Sequence, residues 1–361
     1  MTRTLVGVDI GSAGVRAAEL SVGKRRTTLR KFASVDLPPG AVTAGRVTDS
    51  DAVTDALGRL WDEGGFSTKV VTLGVANDSV LVRRMDLDWM PRRDFVKALH
   101  YQVGDALPVP VDEANLDYYL MEKVATHAGT DGEAAGESPG DVRQVARVML
   151  VAAGREMVDT IVHAVQRAGL RPERVDLVAF ALARAAHVAA EGEAVLEAVV
   201  DVGADTVTIV VHDTGRPLSV RTITGLGGEA ITRALQERYQ WEREDAERTK
   251  IVLGLPSPDI DHPAQRVIAA SADELVTEIR ATLAYFRGSR AEGHALQRVR
   301  VTGNGATLTG LLDLLAERLG VPVAPLVLLG GAVRAGRGLR FEDDDEPPVA
   351  VAGGLCLGGA S

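Results

Sequence analysis

The chain has one cysteine, Cys356, in 361 residues, so no intramolecular disulfide can form. The seven histidines lack the spacing of a zinc or metalloprotease motif. Together these argue against a structural metal and against an oxidising compartment, and a cytoplasmic protein is expected. Aromatics are scarce, at 4%, so the core must be built from Val, Leu and Ala. No segment offers about 20 uninterrupted apolar residues, and the opening MTRTLVGVDIG runs straight into a strand pattern. Any link to a membrane is therefore expected to pass through a partner. A formal net charge of −10 speaks against a broad nucleic-acid-binding face, which needs clustered Lys and Arg. Neither G-x-x-x-x-G-K-S/T nor a G-x-G-x-x-G after the first strand is present, which counts against P-loop and Rossmann nucleotide sites.

What is present is a repeated pattern in a chain long enough for two domains. Residues 5–9 read as a strand, 11–14 as a turn, 15–20 as a return strand and 27–35 as a third. A helix follows, capped by Asp51, with Val53, Ala56, Leu57 and Leu60 on one face and Gly64 and Gly65 at its end. A strand at 69–76 completes the unit. The same order returns at 199–223: strand, turn at Gly203, strand, tight turn, strand, and then a helix from about Gly228. This is an internal duplication.

Between the copies, a helix at 92–106, strands at 115–124 and 142–153, a polar Gly-rich stretch over 126–141 and a helix at 156–168 read as an inserted αβ segment. A strand at 174–178 and a helix at 179–190 follow. Helices at 228–240, 243–253 and 264–287 form a further insert. A strand at 297–302, a GNG turn, a helix at 308–319 and a strand at 321–326 return to an α/β layer. The acidic run EDDDEPP reads as a solvated loop and VAVAGGLCLGG as a helix of small residues.

Each copy opens with an Asp-x-Gly at the end of its first strand: Asp9 before Gly11-Ser12-Ala13, and Asp201 before Gly203-Ala204-Asp205-Thr206. A carboxylate there suits a hydrated Mg²⁺, while the turn's backbone N–H groups suit phosphate oxygens. One isolated Asp-x-Gly is more often a plain hairpin turn. The matched pair favours a triphosphate gripped from both sides. Gly303-Asn304-Gly305 would let an adenine approach the backbone, with the following helix N-terminus facing the phosphates. Alone it reads as an ordinary αβ turn.

In this order, GVDIGSAGVRAAEL resembles the first phosphate motif of the actin-like ATPases, DVGADTVTIVV the second and VTGNGATLTGL the adenosine motif. RVDLVAFALARA and VAVAGGLCLGG resemble the two connecting helices. MPRRDFVKALHYQVGDALPVPVDEANLDYYL, RTITGLGGEAIT and DAERTKI are similar to the type IV pilus assembly PilM family. The resemblance implies an α/β, actin-like fold of two duplicated RNase H-like domains. The first is expected over 1–195 with an FtsA-type insert at about 80–169, and the second over 196–345 with a helical insert at about 225–290. Residues 346–361 would form a helix returning to the first domain.

It further implies ATP or ADP with Mg²⁺ as ligands, the metal held at Asp9 and Asp201 through water. Glu247 and Lys250 become contacts to ribose and adenine, an exposed ion pair being the other reading. The implied partner is the N-terminal peptide of a PilN-like membrane protein, docking in a groove between the insert and the first domain. That partner would recruit the chain to the inner face of the cytoplasmic membrane, and self-association stays open. No catalytic residue is assigned: the chain reads Val178-Ala179-Phe180 where actin-like chaperones carry Glu-Pro, so at most slow ATP hydrolysis is expected. The rival readings are an FtsA-like polymerising division protein, disfavoured by the ending LCLGGAS, and an actin-fold sugar or acetate kinase, for which no distinct polar cluster stands out.

Overall fold

In a computed structural model, the structure describes residues 2–23, 26–107, 110–127, 142–191, 193–257, 262–288, 295–336, 339 and 348–358. Most of the Gly-rich stretch, at 128–141, and the acidic run at 342–347 lie outside them. In chain order the first strands are β1 (Arg3–Ile10), β2 (Gly14–Val22), β3 (Thr27–Asp36), β4 (Val42–Thr43) and β5 (Arg46–Val47), followed by α1 (Ser50–Gly64) and β6 (Val70–Val75). Then come β7 (Leu81–Asp88), α2 (Arg92–Val103), β8 (Ala114–His127), β9 (Val142–Gly154), α3 (Arg155–Arg167), β10 (Arg171–Leu177) and α4 (Val178–Ala189). The second half holds β11 (Leu196–Val202), β12 (Thr206–Asp213), β13 (Arg216–Thr224), α5 (Gly228–Tyr239), α6 (Arg243–Leu253) and α7 (Pro263–Gly288). It closes with β14 (Arg298–Thr302), α8 (Leu311–Leu319), β15 (Val323–Pro325), β16 (Val333–Ala335) and α9 (Ala350–Gly358).

The duplication is one of topology as well as pattern. The first sheet runs β10-β6-β1-β2-β3-β16 and the second β13-β12-β11-β14-β15. In each, a three-strand antiparallel meander places its first strand beside a parallel pair, β6 and β10 in one and β14 and β15 in the other. Parallel neighbours require crossovers, and these are where the helices and the inserted segment fall. The helix at 50–64 is capped by Asp49, whose Oδ1 accepts from the amides of Asp51 and Ala52, so the cap lies two residues before the Asp51 expected from sequence. Gly65, at φ +55°, ends it in the left-handed region.

Helices α4 and α9 pack together between the two sheets, with Ala18 and Leu20 of the first and Val199 and Val210 of the second closing the same core. Backbone runs close to backbone here. A Cβ on Gly7 of β1 would collide with the carbonyl of Ala352, and one on Gly354 with the carbonyl of Ala181. Alanine and glycine occupy these faces because larger side chains would force the layers apart.

Residues 79–158 make a second compact unit, the remainder of the chain making the first. In it, the antiparallel sheet β7-β9-β8 carries α2 on one face. Phe95, Leu99 and Val103, one turn apart along α2, bury themselves against Leu87, Val148 and Leu150. No described helix is long and apolar enough to cross a membrane.

Candidate functional site

Three strand ends of the first unit converge on one cavity. Asp9 is the penultimate residue of β1, and the antiparallel register sets Arg16 of β2 directly opposite, so that Arg16 Nη1 donates to Asp9 Oδ2 at 3.3 Å. Between them the chain reverses through a tight turn in which the Gly11 amide donates to the Gly14 carbonyl at 3.0 Å. In the second sheet Asp201 is the penultimate residue of β11, and the amide of Gly203 donates to the carbonyl of Thr206 at 2.9 Å. Helix α5 starts on this turn: the amides of Gly228 and Glu229 donate to the carbonyls of Gly203 and Ala204. Gly227 fits there because a Cβ would strike both carbonyls. The third strand end is β14, followed by Gly303 at φ +89°, whose absent side chain leaves room for the Asp201 carboxylate and the Val202 carbonyl.

The cavity between these ends has a volume of about 60 Å³. Of the residues singled out from sequence, Asp9, Gly11, Ser12 and Ala13 line it from the first sheet; Asp201, Gly203, Ala204 and Thr206 from the second; and Gly303 and Asn304 from the third loop. Arg16, Gly45 and Val178 also line it. Asp205, Gly305, Glu247 and Lys250 do not border it. Asp205 Oδ2 accepts the amide of Ala44 at 2.6 Å. Gly305 packs its Cα against Val202. Lys250 Nζ donates to Glu247 Oε2, Thr232 Oγ1 and the Gly228 carbonyl at 2.7–3.0 Å, an ion-paired cluster behind the start of α5. The helix expected directly after the GNG turn begins later: Asn304–Thr307 form a 3₁₀ turn, and Gly310 at φ +86° separates it from α8.

The electrostatics of the cavity are those of an unbalanced anionic pair. Burial pushes the Asp9 carboxyl above its usual range, with Arg16 pulling the other way. Asp201 is pushed up to about 7, first by burial and then by the charge of Asp9, with Arg16 opposing. Arg16 Nε is buried and has no hydrogen-bond partner. Among the described residues no group of three or more His, Cys, Asp or Glu gathers as a metal cage. Two carboxylates still match a cation that keeps most of its water and takes its other ligands from phosphate, which is how Mg²⁺ is usually held.

Two parts of the site were not assigned from sequence. Arg16 follows from strand register. The other is a short strap formed by β4 and β5, whose tip, Ala44 at φ +51° and Gly45 at φ +72°, reaches the cavity. Gly45 packs on the Ala76 backbone with no room for a Cβ, and Asn77 Nδ2 donates to the Ala44 carbonyl. The Ala44–Asp205 bond therefore ties the first sheet's strap to the second sheet's turn at 203–206. Nearby, Thr224 Oγ1 donates to Asp78 Oδ2 at 2.7 Å.

Comparison with known proteins bears on the fold and the family. The structure of a PilM-PilN type IV pilus biogenesis complex is similar with a TM-score of 0.80 at 26% identity, covering 99% of this chain and 98% of that one. The ethanolamine utilization protein EutJ of Carboxydothermus hydrogenoformans shares the fold, with a TM-score of 0.53 at 17% identity over 98% of this chain and 89% of its own. Among curated relatives, the cell division protein FtsA of Agrobacterium fabrum is 29% identical over 263 residues, covering 62% of this chain and 58% of that protein. The chain thus spans little more than half the length of that relative. The fold is the actin-like one, and the family model described as type IV pilus assembly protein PilM matches residues 7–357. The chain belongs to the PilM family of type IV pilus assembly proteins.

Proposed function

We propose that the chain is a nucleotide-controlled scaffold of type IV pilus assembly, holding Mg-ATP or Mg-ADP between its two sheets and binding the N-terminal peptide of a PilN-like membrane protein. The observation that carries the nucleotide part is the convergence of three glycine-bearing strand ends on one cavity with two half-buried carboxylates. The turns at 11–13 and 203–206 would take phosphate oxygens. Asp9 and Asp201 would hold the hydrated metal, and Arg16, with its orphaned Nε–H, would offer a charge-assisted donor. Bound Mg²⁺ supplies charge neutralisation between the carboxylates and the phosphates. Adenosine would lie toward Gly303–Gly305 and the Glu247–Lys250 cluster.

A cavity of about 60 Å³ is far below the roughly 300–1,000 Å³ of a pocket for a drug-sized ligand. A nucleotide must therefore part the two sheets, breaking the Ala44–Asp205 tie and re-forming it around the ligand. Hydrolysis is slow on this reading, because the residue entering the cavity from the start of α4 is the aliphatic Val178 and Asp9 and Asp201 are already committed to the metal. The family's pilus role and the likeness to a PilM-PilN complex support the partner, which would bring the chain to the inner face of the cytoplasmic membrane. Titrating the protein with a fluorescent peptide copying a PilN-type N-terminus, with and without Mg-ATP, while following phosphate release, tests the scaffold. Peptide binding with negligible turnover is expected. Rapid turnover unaffected by peptide would overturn it.

A further inference from the structure

The 79–158 unit carries a second cavity, of about 360 Å³, within its own fold. Where helix α2 meets β8, Trp89, Phe95 of the helix and Tyr118 of the strand form an aromatic floor, with the Phe95 and Tyr118 rings 4.6 Å apart. The rim is apolar and open: Val96 is 50% and Leu120 43% exposed. Isolated apolar residues at a surface are ordinary, but an aromatic recess continuous with exposed aliphatic side chains marks a contact site.

The recess lies against β8, and among the described strands β8 pairs only with β9, leaving its other side as the edge of the sheet. A register shift between Leu120 and Glu122 bends this edge beside the cavity. The rim charge is biased. Arg92 and Lys123 both border the recess, the Lys123 ammonium standing 4.2 Å from the centre of the Trp89 ring. The one acid there, Asp117, turns a carboxylate oxygen to the Tyr118 amide at 2.8 Å. In a chain of net charge −10, a rim with two cations to one partly engaged anion stands out.

We propose that this recess docks an extended acidic segment of a partner protein. The segment adds as a strand along β8, sets one large apolar side chain on the Trp89–Phe95–Tyr118 floor, and brings carboxylates to Arg92 and Lys123. Main-chain pairing at a sheet edge supplies register, and the pocket and rim charges select sequence. A second copy of this chain is disfavoured as occupant, because two-fold pairing of β8 edges would gather Lys123 and Arg92 of both copies along one seam. The surface is independent of the nucleotide cavity, so the proposal does not rest on the reading given above.

The test is selection of random dodecapeptides displayed on phage against the full-length protein, followed by fluorescence polarisation of the enriched peptides on wild type and on Arg92→Glu/Lys123→Glu. Both substituted side chains are exposed, so a matching melting temperature and far-UV circular dichroism spectrum will show the variant intact. Enriched peptides should pair a large apolar residue with Asp or Glu. Their affinity should fall about tenfold or more on charge reversal, since two rim contacts and their steering are lost together. It should also weaken with salt, and amides in 118–123 should gain exchange protection. No enrichment, a neutral or basic consensus, or affinity indifferent to the charge reversal overturns the proposal. So does a wild-type dimer in sedimentation that Val96→Asp returns to monomer, since the recess would then belong to a second copy.

Discussion

Asp9 and Asp201 are half-buried within reach of each other's charge, and that repulsion can be measured. Asp201 has a folded pKa of about 7, above its usual value of 3.8, so folding favours its protonated form. This contribution is fully present below about pH 4 and is lost as pH rises through 7. Asp201→Asn keeps the shape without the charge. In metal-free buffer at pH 8 it is expected to be more stable than wild type by up to about 4 kcal/mol, the gap narrowing toward pH 5. His212 titrates with the opposite sign, its pKa pushed down to about 4 mainly by burial and then by His187, so its contribution is lost as pH falls below about 6.5. Comparing the two proteins at each pH in urea melts cancels it, and a gap independent of pH would contradict the account. Both aspartates could be read from sequence because each closes a strand just before a glycine turn. Arg16 could not, since its role depends on a cross-strand register. The partner of Asp205 could not either, because Ala44 lies 161 residues away along the chain.

Among the elements, α4 and α9 form the layer between the sheets, and their spacing is set by missing side chains. Gly354→Val would press on the Ala181 carbonyl and should lower stability by about 2–3 kcal/mol in thermal melts. Gly58→Ala in α1, where a Cβ meets open space, should be neutral or slightly stabilising. Equal effects would show that the close approach is unimportant. The strap makes a kinetic prediction. Asp205→Ala leaves the Ala44 amide without its acceptor, at about 1–3 kcal/mol, so release of a fluorescent ATP analogue in stopped flow should quicken by about tenfold or more. Unchanged release would remove the strap from the account. The paired meanders and the helix faces were legible in sequence because periodicity records burial. The strap was not, because its strands are two residues long and its turn, Ala44-Gly45, lacks the Asn or Asp that usually marks a hairpin. β7 and β16 escaped for a related reason: β7 has only Leu87 buried, and β16 is a three-residue edge strand.

At the scale of the whole molecule, the duplicated topology and the family match agree on an actin-like fold and on membership of the PilM family. The order of motifs along the chain carried that information, while the fitting of three loops around one cavity depends on tertiary packing that no local pattern records. The central claim is that the opposed aspartate turns hold Mg-nucleotide. Calorimetric titration of ATP into wild type and Asp9→Ala, each with Mg²⁺ and with EDTA, tests it most directly. Wild type should bind ATP in a Mg-dependent manner, and Asp9→Ala should lose at least about tenfold, or ~1.4 kcal/mol, of that affinity and most of its Mg dependence. Equal affinity in the two proteins, or binding indifferent to Mg²⁺, would contradict the account.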